Sequence, residues 1–166
     1  MMDIKIGKEK SAKQRPKAEL EVPQTIVKAW KVARDVRKRA YAPYSAYQVG
    51  AALIDEKGTV LAGCNVENAS YGATICAERN AMLHAVAEGI RKIRHVVVVT
   101  DSEPPAPPCA LCLQVLCEFS DEKTRVWLGD LDGVKECLEL SELLPRHFGP
   151  GSLARGLRAR ATRLKR

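Results

Sequence analysis

The sequence predicts an α/β protein in which helices cover a mixed sheet of about five strands. Two observations support this class. Helical and strand-like segments alternate along the middle of the chain. One segment, Val-Val-Val-Val at residues 96–99, is a run of β-branched residues typical of a central strand buried on both faces. A chain of 166 residues fits a single domain with room for a core.

Four segments have helical character. The first begins at Pro23, whose missing N–H is not needed in a first turn, and ends before Pro43. Its apolar residues recur at helical spacing, namely Ile26, Val27, Trp30, Ala33, Val36 and Ala40. The other predicted helices cover residues 76–88, 109–119 and 140–144, and Gly89 ends the first of these.

Five segments are strand-like. Residues 48–54 and 59–65 flank the turn sequence Asp55-Glu56-Lys57-Gly58, so they are expected to form a hairpin. The central strand covers residues 94–100. Two further strands are expected at residues 125–128 and 133–137.

The net charge of +7 is concentrated at the two ends of the chain. Residues 1–40 carry +7, residues 41–145 carry −7 and residues 146–166 carry +7. We predict three parts: a disordered basic arm (1–22), a catalytic domain (23–150) and a basic tail (151–166). The tail is expected to be a solvated, frayed terminus, with an amphipathic helix as the alternative.

Composition also bears on the setting of the protein. The sequence has no apolar run long enough to span a membrane and no signal-peptide pattern at its start, so a cytoplasmic location is expected. In that compartment six cysteines indicate metal binding better than disulfides.

Two short motifs carry the chemistry. Thr-Ile-Cys-Ala-Glu-Arg-Asn-Ala at residues 74–81 supplies Cys76, and Pro-Pro-Cys-Ala-Leu-Cys at residues 107–112 supplies Cys109 and Cys112. Three thiolates without a clear fourth ligand are typical of a catalytic zinc site, which leaves one position for water. Glu78, two residues after the first cysteine, is placed to act on that water. This is the pattern of a zinc deaminase in its all-cysteine form.

These motifs, with several others in the same order, resemble the small homo-oligomeric cytidine deaminases of nucleoside salvage. The resemblance runs from about residue 40 to 153. It includes Ala-Pro-Tyr-Ser at 42–45, Val-Gly-Ala-Ala-Leu at 49–53, Gly-Cys-Asn-Val-Glu-Asn-Ala-Ser-Tyr at 63–71, Gln-Val-Leu at 114–116, Glu-Leu-Leu-Pro at 142–145 and Phe-Gly-Pro at 148–150.

The resemblance implies a three-layer α-β-α fold with a mixed sheet, a Zn²⁺ cofactor and a homotetramer acting on a small nucleoside. It also implies site residues. Glu78 is the catalytic acid and base. The implied substrate-binding residues are Asn65 and Glu67 on the ribose, Tyr47, Tyr71 and Ala77 in the pocket, and Phe148 inserted from a neighbouring subunit.

Three positions depart from the family pattern. Ala110 replaces the usual Gly after the first Cys of the pair, Leu113 replaces an Arg that offsets sulfur charge, and Asn80 replaces Thr or another small residue. We therefore expect Arg79, one turn after Cys76, to offset the thiolate charge alone by hydrogen-bonding the sulfurs.

Other interpretations remain open at this point. The enzyme could deaminate a cytosine-nucleoside antibiotic, an idea that the altered position Leu113 permits. It could also bind or edit nucleic acid through its basic ends, although the ends lack the interleaved aromatic residues of a stacking surface, so only non-specific binding is expected.

The individual site residues have alternative interpretations as well. A structural zinc site would need a fourth ligand, and His84, two turns beyond Cys76, fits poorly. Asn65 and Glu67 could be turn residues, and the aromatic residues could be plain core or interface.

Overall fold

The computed structural model describes residues 20–149, 151, 152 and 154. Within them the chain forms four α-helices and five strands. In chain order these are α1 (Gln24–Arg37), β1 (Gly50–Asp55), β2 (Val60–Cys64), α2 (Ala77–Ala87), β3 (Ile93–Val99), α3 (Ala110–Glu118), β4 (Arg125–Gly129), β5 (Val134–Glu139) and α4 (Leu140–Leu143), with a 3₁₀ turn at Tyr71–Ala73 before α2. Every predicted helix and strand is present, with ends shifted by a few residues.

The five strands form one mixed sheet in the order β2-β1-β3-β4-β5. The predicted hairpin pairs β1 with β2, and its turn is held by Asp55, whose Oδ1 accepts from the backbone N–H groups of Lys57 and Thr59 at 2.8 and 2.7 Å. Only β3 and β4 run parallel, with α3 as their crossover; the other pairs are antiparallel. The mixed sheet of five strands is confirmed.

The β3 strand lies in the centre of the sheet and is buried on both faces, as predicted. Val96 and Val98 face the layer formed by α2, α3 and α4, and Val97 and Val99 face α1. None of these four valines is more than 2% exposed. Two separate apolar cores result, one on each face of the sheet, which is the three-layer α-β-α arrangement.

The first helix ends earlier than its apolar pattern predicts. It ends at Arg37 and not near Ala40 because the backbone of Tyr41 turns away to pair with the segment after β2. The Tyr41 N–H donates to Asn65 O at 3.1 Å, and Tyr41 O accepts from the Glu67 N–H at 2.8 Å. Pro23 stands one position earlier than predicted, as the N-cap of α1.

The domain boundaries proposed from the sequence stay predictions. Residues 1–19 of the basic arm and most of the basic tail lie outside the described residues. Among the helices that are described, none has the length and apolar character needed to cross a bilayer.

Candidate metal centre and active site

Two helix starts bring three thiols together. Cys76 is the N-cap of α2 and Cys109 is the N-cap of α3, with Cys112 in the first turn that follows. The Sγ atoms of Cys76 and Cys109 are 4.0 Å apart, and those of Cys109 and Cys112 are 3.5 Å apart. All three sulfurs lie within 4.8 Å of one another. Tetrahedral ligands at a Zn–S distance of about 2.3 Å stand about 3.8 Å apart, so the spacing suits zinc.

One of the three sulfurs, that of Cys76, is shifted toward the thiolate state that a metal needs. Hydrogen bonding from Cys112, supported by Arg79 and Cys109, lowers the pKa of Cys76 to about 5. The same hydrogen bond, together with burial and the nearby Glu78 carboxylate, raises the pKa of Cys112. The group therefore holds one thiolate and shares a thiol proton, whose place a divalent cation would take.

Arg79 is the cation beside this cluster. The Nη2 atom of Arg79 donates to Thr74 O at 2.9 Å and lies 3.8 Å from Cys76 Sγ. The Cys76 sulfur is also the largest cause that raises the pKa of Arg79. Its Nε is buried and has no hydrogen-bond partner among the described residues. Leu113, at the position where the family usually has Arg, is 5% exposed and packs in the core beside α2.

Glu78 lies against the same cluster. It is 4% exposed in the first turn of α2, two residues after Cys76. Burial is the main cause that raises its pKa, and the charge on Cys76 adds to the effect, while a hydrogen bond from Cys112 opposes it. A buried carboxyl group with a raised pKa can both accept and return a proton near neutral pH.

A cavity of about 200 Å³ opens beside the sulfurs and the carboxyl group. It is lined by seven of the residues predicted for the site, namely Tyr47, Asn65, Glu67, Cys76, Ala77, Glu78 and Cys109. Val98 and Thr100, near the end of β3, also line it. The cavity therefore lies where the central strand ends, between the N-termini of α2 and α3.

Asn65 and Glu67 reach the cavity but also hold one of its walls. Asn65 Oδ1 accepts from the Val49 N–H and its Nδ2 donates to Tyr47 O, both at 2.8 Å. Glu67 accepts from the N–H groups of Tyr44 and Ser45 at 2.8 and 3.3 Å, and from the Ser45 hydroxyl. These bonds, the Ser45 hydroxyl first, lower the pKa of Glu67 and keep it ionised.

Two predicted substrate residues do not line this cavity within the single chain. Tyr71 is 79% exposed and stacks edge-on with Tyr44 beside a neighbouring groove. Phe148 is 63% exposed, and its backbone is held by Gln114, which donates to Phe148 O at 2.7 Å and accepts from its N–H at 3.2 Å. His84 is also exposed and does not belong to the three-sulfur group.

Several cavity residues were not predicted. Ser45, Thr74, Thr100, Ala106 and Pro107 all line it. Ser45 lies in the Ala-Pro-Tyr-Ser motif at residues 42–45, so its position was detectable from the sequence. Thr100, which is 2% exposed, carries no local signal because it follows an apolar strand and is brought to the site by the sheet.

The residues present fit zinc. Three closely spaced sulfurs form the ligand set, a partly neutralising arginine lies beside them, and a buried carboxyl group stands within the same pocket. Three protein ligands with an adjoining cavity are the arrangement of a catalytic centre and not of a closed structural one. A thiolate-bound metal with a non-ligating glutamate two residues after the first ligand defines a zinc-dependent deaminase.

Comparisons with known proteins agree with that class. The model of the family described as "Cytidine and deoxycytidylate deaminase zinc-binding region" matches residues 23–128. A cytidine deaminase of Halalkalibacterium halodurans is 48% identical over 71% of this chain and 89% of that protein. One from Sporosarcina psychrophila is 43% identical over 74% of this chain and 90% of that protein. The chain belongs to the cytidine and deoxycytidylate deaminase family.

Solved structures give the same result for the fold. The crystal structure of cytidine deaminase from Burkholderia pseudomallei superposes with a TM-score of 0.70 at 41% identity, covering 73% of this chain and 97% of that one. That from Mycobacterium tuberculosis gives 0.65 at 34% identity, covering 74% and 95%. The predicted fold, family and zinc-binding character are confirmed.

Proposed function

We propose that this protein is a cytidine deaminase that hydrolyses cytidine and deoxycytidine to uridine and deoxyuridine and releases ammonia. The observation that carries the proposal is the buried Glu78 carboxyl group, which shares one cavity with Cys76 and Cys109 of the three-sulfur centre. The activity belongs to the hydrolases that act on cyclic amidines and serves pyrimidine salvage. The relatives described above support the proposed activity, since they are cytidine deaminases.

The proposed chemistry divides between the metal and the chain. When bound by Cys76, Cys109 and Cys112, zinc would supply an activated water as nucleophile near neutral pH. Glu78 accepts a proton from the water that attacks C4 of the cytosine ring and gives it to ring N3. Glu78 then passes the remaining proton of the C4 hydroxyl to the amino group, and the C4–N bond breaks to release ammonia as the C4 carbonyl forms. The burial of Glu78 supports this role because it places the pKa of the carboxyl group closer to the working pH.

The proposed ribose contacts use hydrogen-bonding sites on Glu67 and Asn65 that no protein group occupies in the described structure. Each Glu67 carboxylate oxygen has two acceptor sites, and the Oε1 atom uses one of them for Ser45. Asn65 likewise donates only one of its two amide protons to Tyr47 O. A sugar hydroxyl can therefore bind either side chain without breaking the bonds that hold the cavity wall. Tyr47 and Ala77 contribute apolar surface to the base pocket.

Glu78→Gln tests the catalytic assignment. The variant keeps the size of the side chain but cannot carry a proton, so we expect turnover of cytidine, followed by ultraviolet absorbance, to fall by orders of magnitude with about one zinc per chain retained. Glu88→Gln, at the exposed C-cap of the same helix, is the matched control and should retain parent activity. Near-parent turnover in Glu78→Gln would refute the assignment.

We further propose that the active unit is a homotetramer in which Phe148 of one subunit completes the site of another. Two features support this. Phe148 does not line the cavity of its own chain, and exposed aromatic residues lie at and beside that cavity: Tyr47 lines it, and Tyr44 and Tyr71 line the adjoining groove. Exposed aromatic clusters of this kind are typical of interfaces.

Subunit complementation tests the shared site. Phe148→Ala and Glu78→Gln should each be inactive alone. After the two are mixed and allowed to exchange subunits, a site with an intact Glu78 can receive Phe148 from its neighbour, so part of the activity should return. Light scattering gives the oligomer size on the same samples. No recovery in mixed oligomers would contradict a Phe148 that acts between subunits.

No observation favours the alternative functions. The relatives named above are cytidine deaminases, which does not favour the antibiotic interpretation. Of the basic ends that motivated nucleic-acid editing, residues 1–19 and most of the tail lie outside the described residues. A panel of cytidine, deoxycytidine, a cytosine-nucleoside antibiotic and a cytosine-containing oligonucleotide separates these functions.

A cytoplasmic location is proposed as well. It is supported by six cysteines that are all free thiols, and cell fractionation tests it.

A further inference from the structure

Two loops form opposite walls of the cavity, and a set of polar contacts joins them. The first loop, residues 44–49, carries Tyr47. The second loop, residues 101–108, leads from the end of β3 to Cys109 and contributes Ala106 and Pro107 to the cavity. Neither loop belongs to a helix or strand, and side-chain contacts join one to the other.

Thr100 is the fixed point of these contacts. It continues β3 by one residue, and its N–H donates to Gly129 O at 3.1 Å, which ties it to the neighbouring strand. Its buried hydroxyl accepts from the Ala106 N–H at 3.1 Å and lies 2.9 Å from the Ser102 hydroxyl. One side chain therefore anchors both the start and the end of the second loop to the rigid centre of the sheet.

Two sets of contacts attach the first loop to residues 101 and 102, at the start of the second loop. The Tyr47 hydroxyl lies 3.4 Å from Ser102 Oγ. On the other side Arg37, which is 12% exposed in its side chain, donates from Nε to Gln48 O at 2.9 Å and forms an ion pair with Asp101 at 3.4 Å. The helix α1 and the end of β3 thus bridge the two walls.

The second loop also determines where a metal ligand lies. Only Pro107 and Pro108 separate Ala106 from Cys109. Proline has a fixed φ and little freedom, so these two residues act as a stiff connection. Any displacement of Ala106 is passed on to Cys109 and to the start of α3.

We propose that Thr100 and Ser102 are positioning residues that couple the substrate wall carrying Tyr47 to the metal ligand Cys109. Without the Thr100 hydroxyl, the Ala106 N–H is left in the protein without its acceptor, and the loop is free to move away from the cavity. The substrate pocket and the metal site then loosen together. The kinetic half of this inference rests on the proposed deamination, whereas the metal half does not.

The test compares three zinc-loaded full-length variants with the parent. Thr100→Val removes the hydroxyl at nearly constant shape, and Thr100→Ser retains it. Thr124→Val is the matched control, because Thr124 is 1% exposed and also holds a loop, donating to Ile93 O at 2.8 Å and accepting from the Asp121 N–H at 3.2 Å, at the opposite end of β3. The readouts are KM and kcat for cytidine, the rate of zinc transfer to a coloured chelator, and Tm.

Thr100→Val is expected to raise KM roughly tenfold, with a smaller change in kcat, and to speed zinc release by a similar factor, as the loss of one buried hydrogen bond implies. Thr100→Ser should stay within about twofold of the parent for both quantities, because it keeps the hydrogen bond. Thr124→Val should lower Tm and leave KM and zinc release unchanged.

Three outcomes would overturn the inference: unchanged KM and zinc release in Thr100→Val, equal impairment in Thr100→Ser, or the same changes in Thr124→Val. If Thr100→Val does not fold, Ser102→Ala decides instead, with raised KM and faster zinc release expected and unchanged values contradicting the proposal. A parent that binds zinc but does not deaminate cytidine would refute the proposed function while the zinc-release comparison still tested the coupling.

Discussion

Gly63 on β2 is the position where one methyl group should disturb the active site most. A Cβ at this residue would lie 2.4 Å from Ala81 N and 2.9 Å from Ala77 O, both in the backbone of α2. Ordinary contact begins near 3.4 Å, so the helix would have to retreat by the difference between 3.4 and 2.4 Å, about 1 Å. Backbone cannot move aside as a flexible side chain can, so the whole helix must shift.

That shift has two consequences with different magnitudes. Forcing an extra methyl group into packed structure costs about 1–3 kcal/mol, and in a domain of this size we expect Tm to fall by about 3–12 °C. The same helix carries Cys76 and Glu78, so a displacement of about 1 Å relative to α3 should reduce kcat by up to about 100-fold. Activity is therefore expected to suffer more than stability.

The assay for Gly63→Ala combines thermal unfolding, zinc content and steady-state deamination of cytidine. Gly72→Ala is the control, because this glycine lies in the 3₁₀ turn before α2 and no heavy atom lies within 4 Å of the position of its Cβ. If Gly63→Ala matched Gly72→Ala in both Tm and kcat, the close approach of β2 and α2 would not position the site, and the argument would fail.

Three further outcomes are expected. Arg79→Gln should release zinc several-fold faster to a chelator with Tm nearly unchanged, because the thiolates lose their neighbouring cation; equal rates would contradict this role. The affinity of the zinc-free protein for zinc, measured by competition with a chelator, should fall more steeply with decreasing pH below about 5, because Cys76 is a thiolate above its lowered pKa and must lose a proton to bind zinc below it; an unchanged slope through pH 5 would oppose the assignment of this ligand. Leu116→Ala, at a side chain 1% exposed, should cost about 2–5 kcal/mol in denaturant unfolding, and less than 1 kcal/mol would show a loosely packed core.

The local parts of the fold were predictable from the sequence. The apolar spacing of α1, the turn after β1 and the four valines of β3 each depend on residues that are neighbours in the chain. The same holds for the metal ligands: Cys76 and Cys109 both precede helices, so they are placed at helix starts by local structure alone. Glu78 followed from its spacing to Cys76.

Contacts between distant segments needed the tertiary structure. The sequence did not reveal that α1 ends at Arg37, since the competing partner of Tyr41 is a backbone segment more than twenty residues away. Nor did it reveal that Glu67 holds the loop of Ser45, a role that depends on how the end of β2 meets the turn after α1. In both cases a long-range hydrogen bond prevails over a local pattern.

What the sequence by itself determined is the chemical content of the protein: the α/β class, three sulfurs at helix starts, and a carboxyl group beside the first of them. These follow from the spacing of residues that are close in sequence. Such residues stay close in the folded protein because the start of a helix is determined locally. The tertiary structure alone decided how the walls of the cavity are joined to one another. Thr100, Ser102 and Arg37 meet there because the sheet and α1 bring loops from separate parts of the chain to the end of β3, and no local pattern records that meeting.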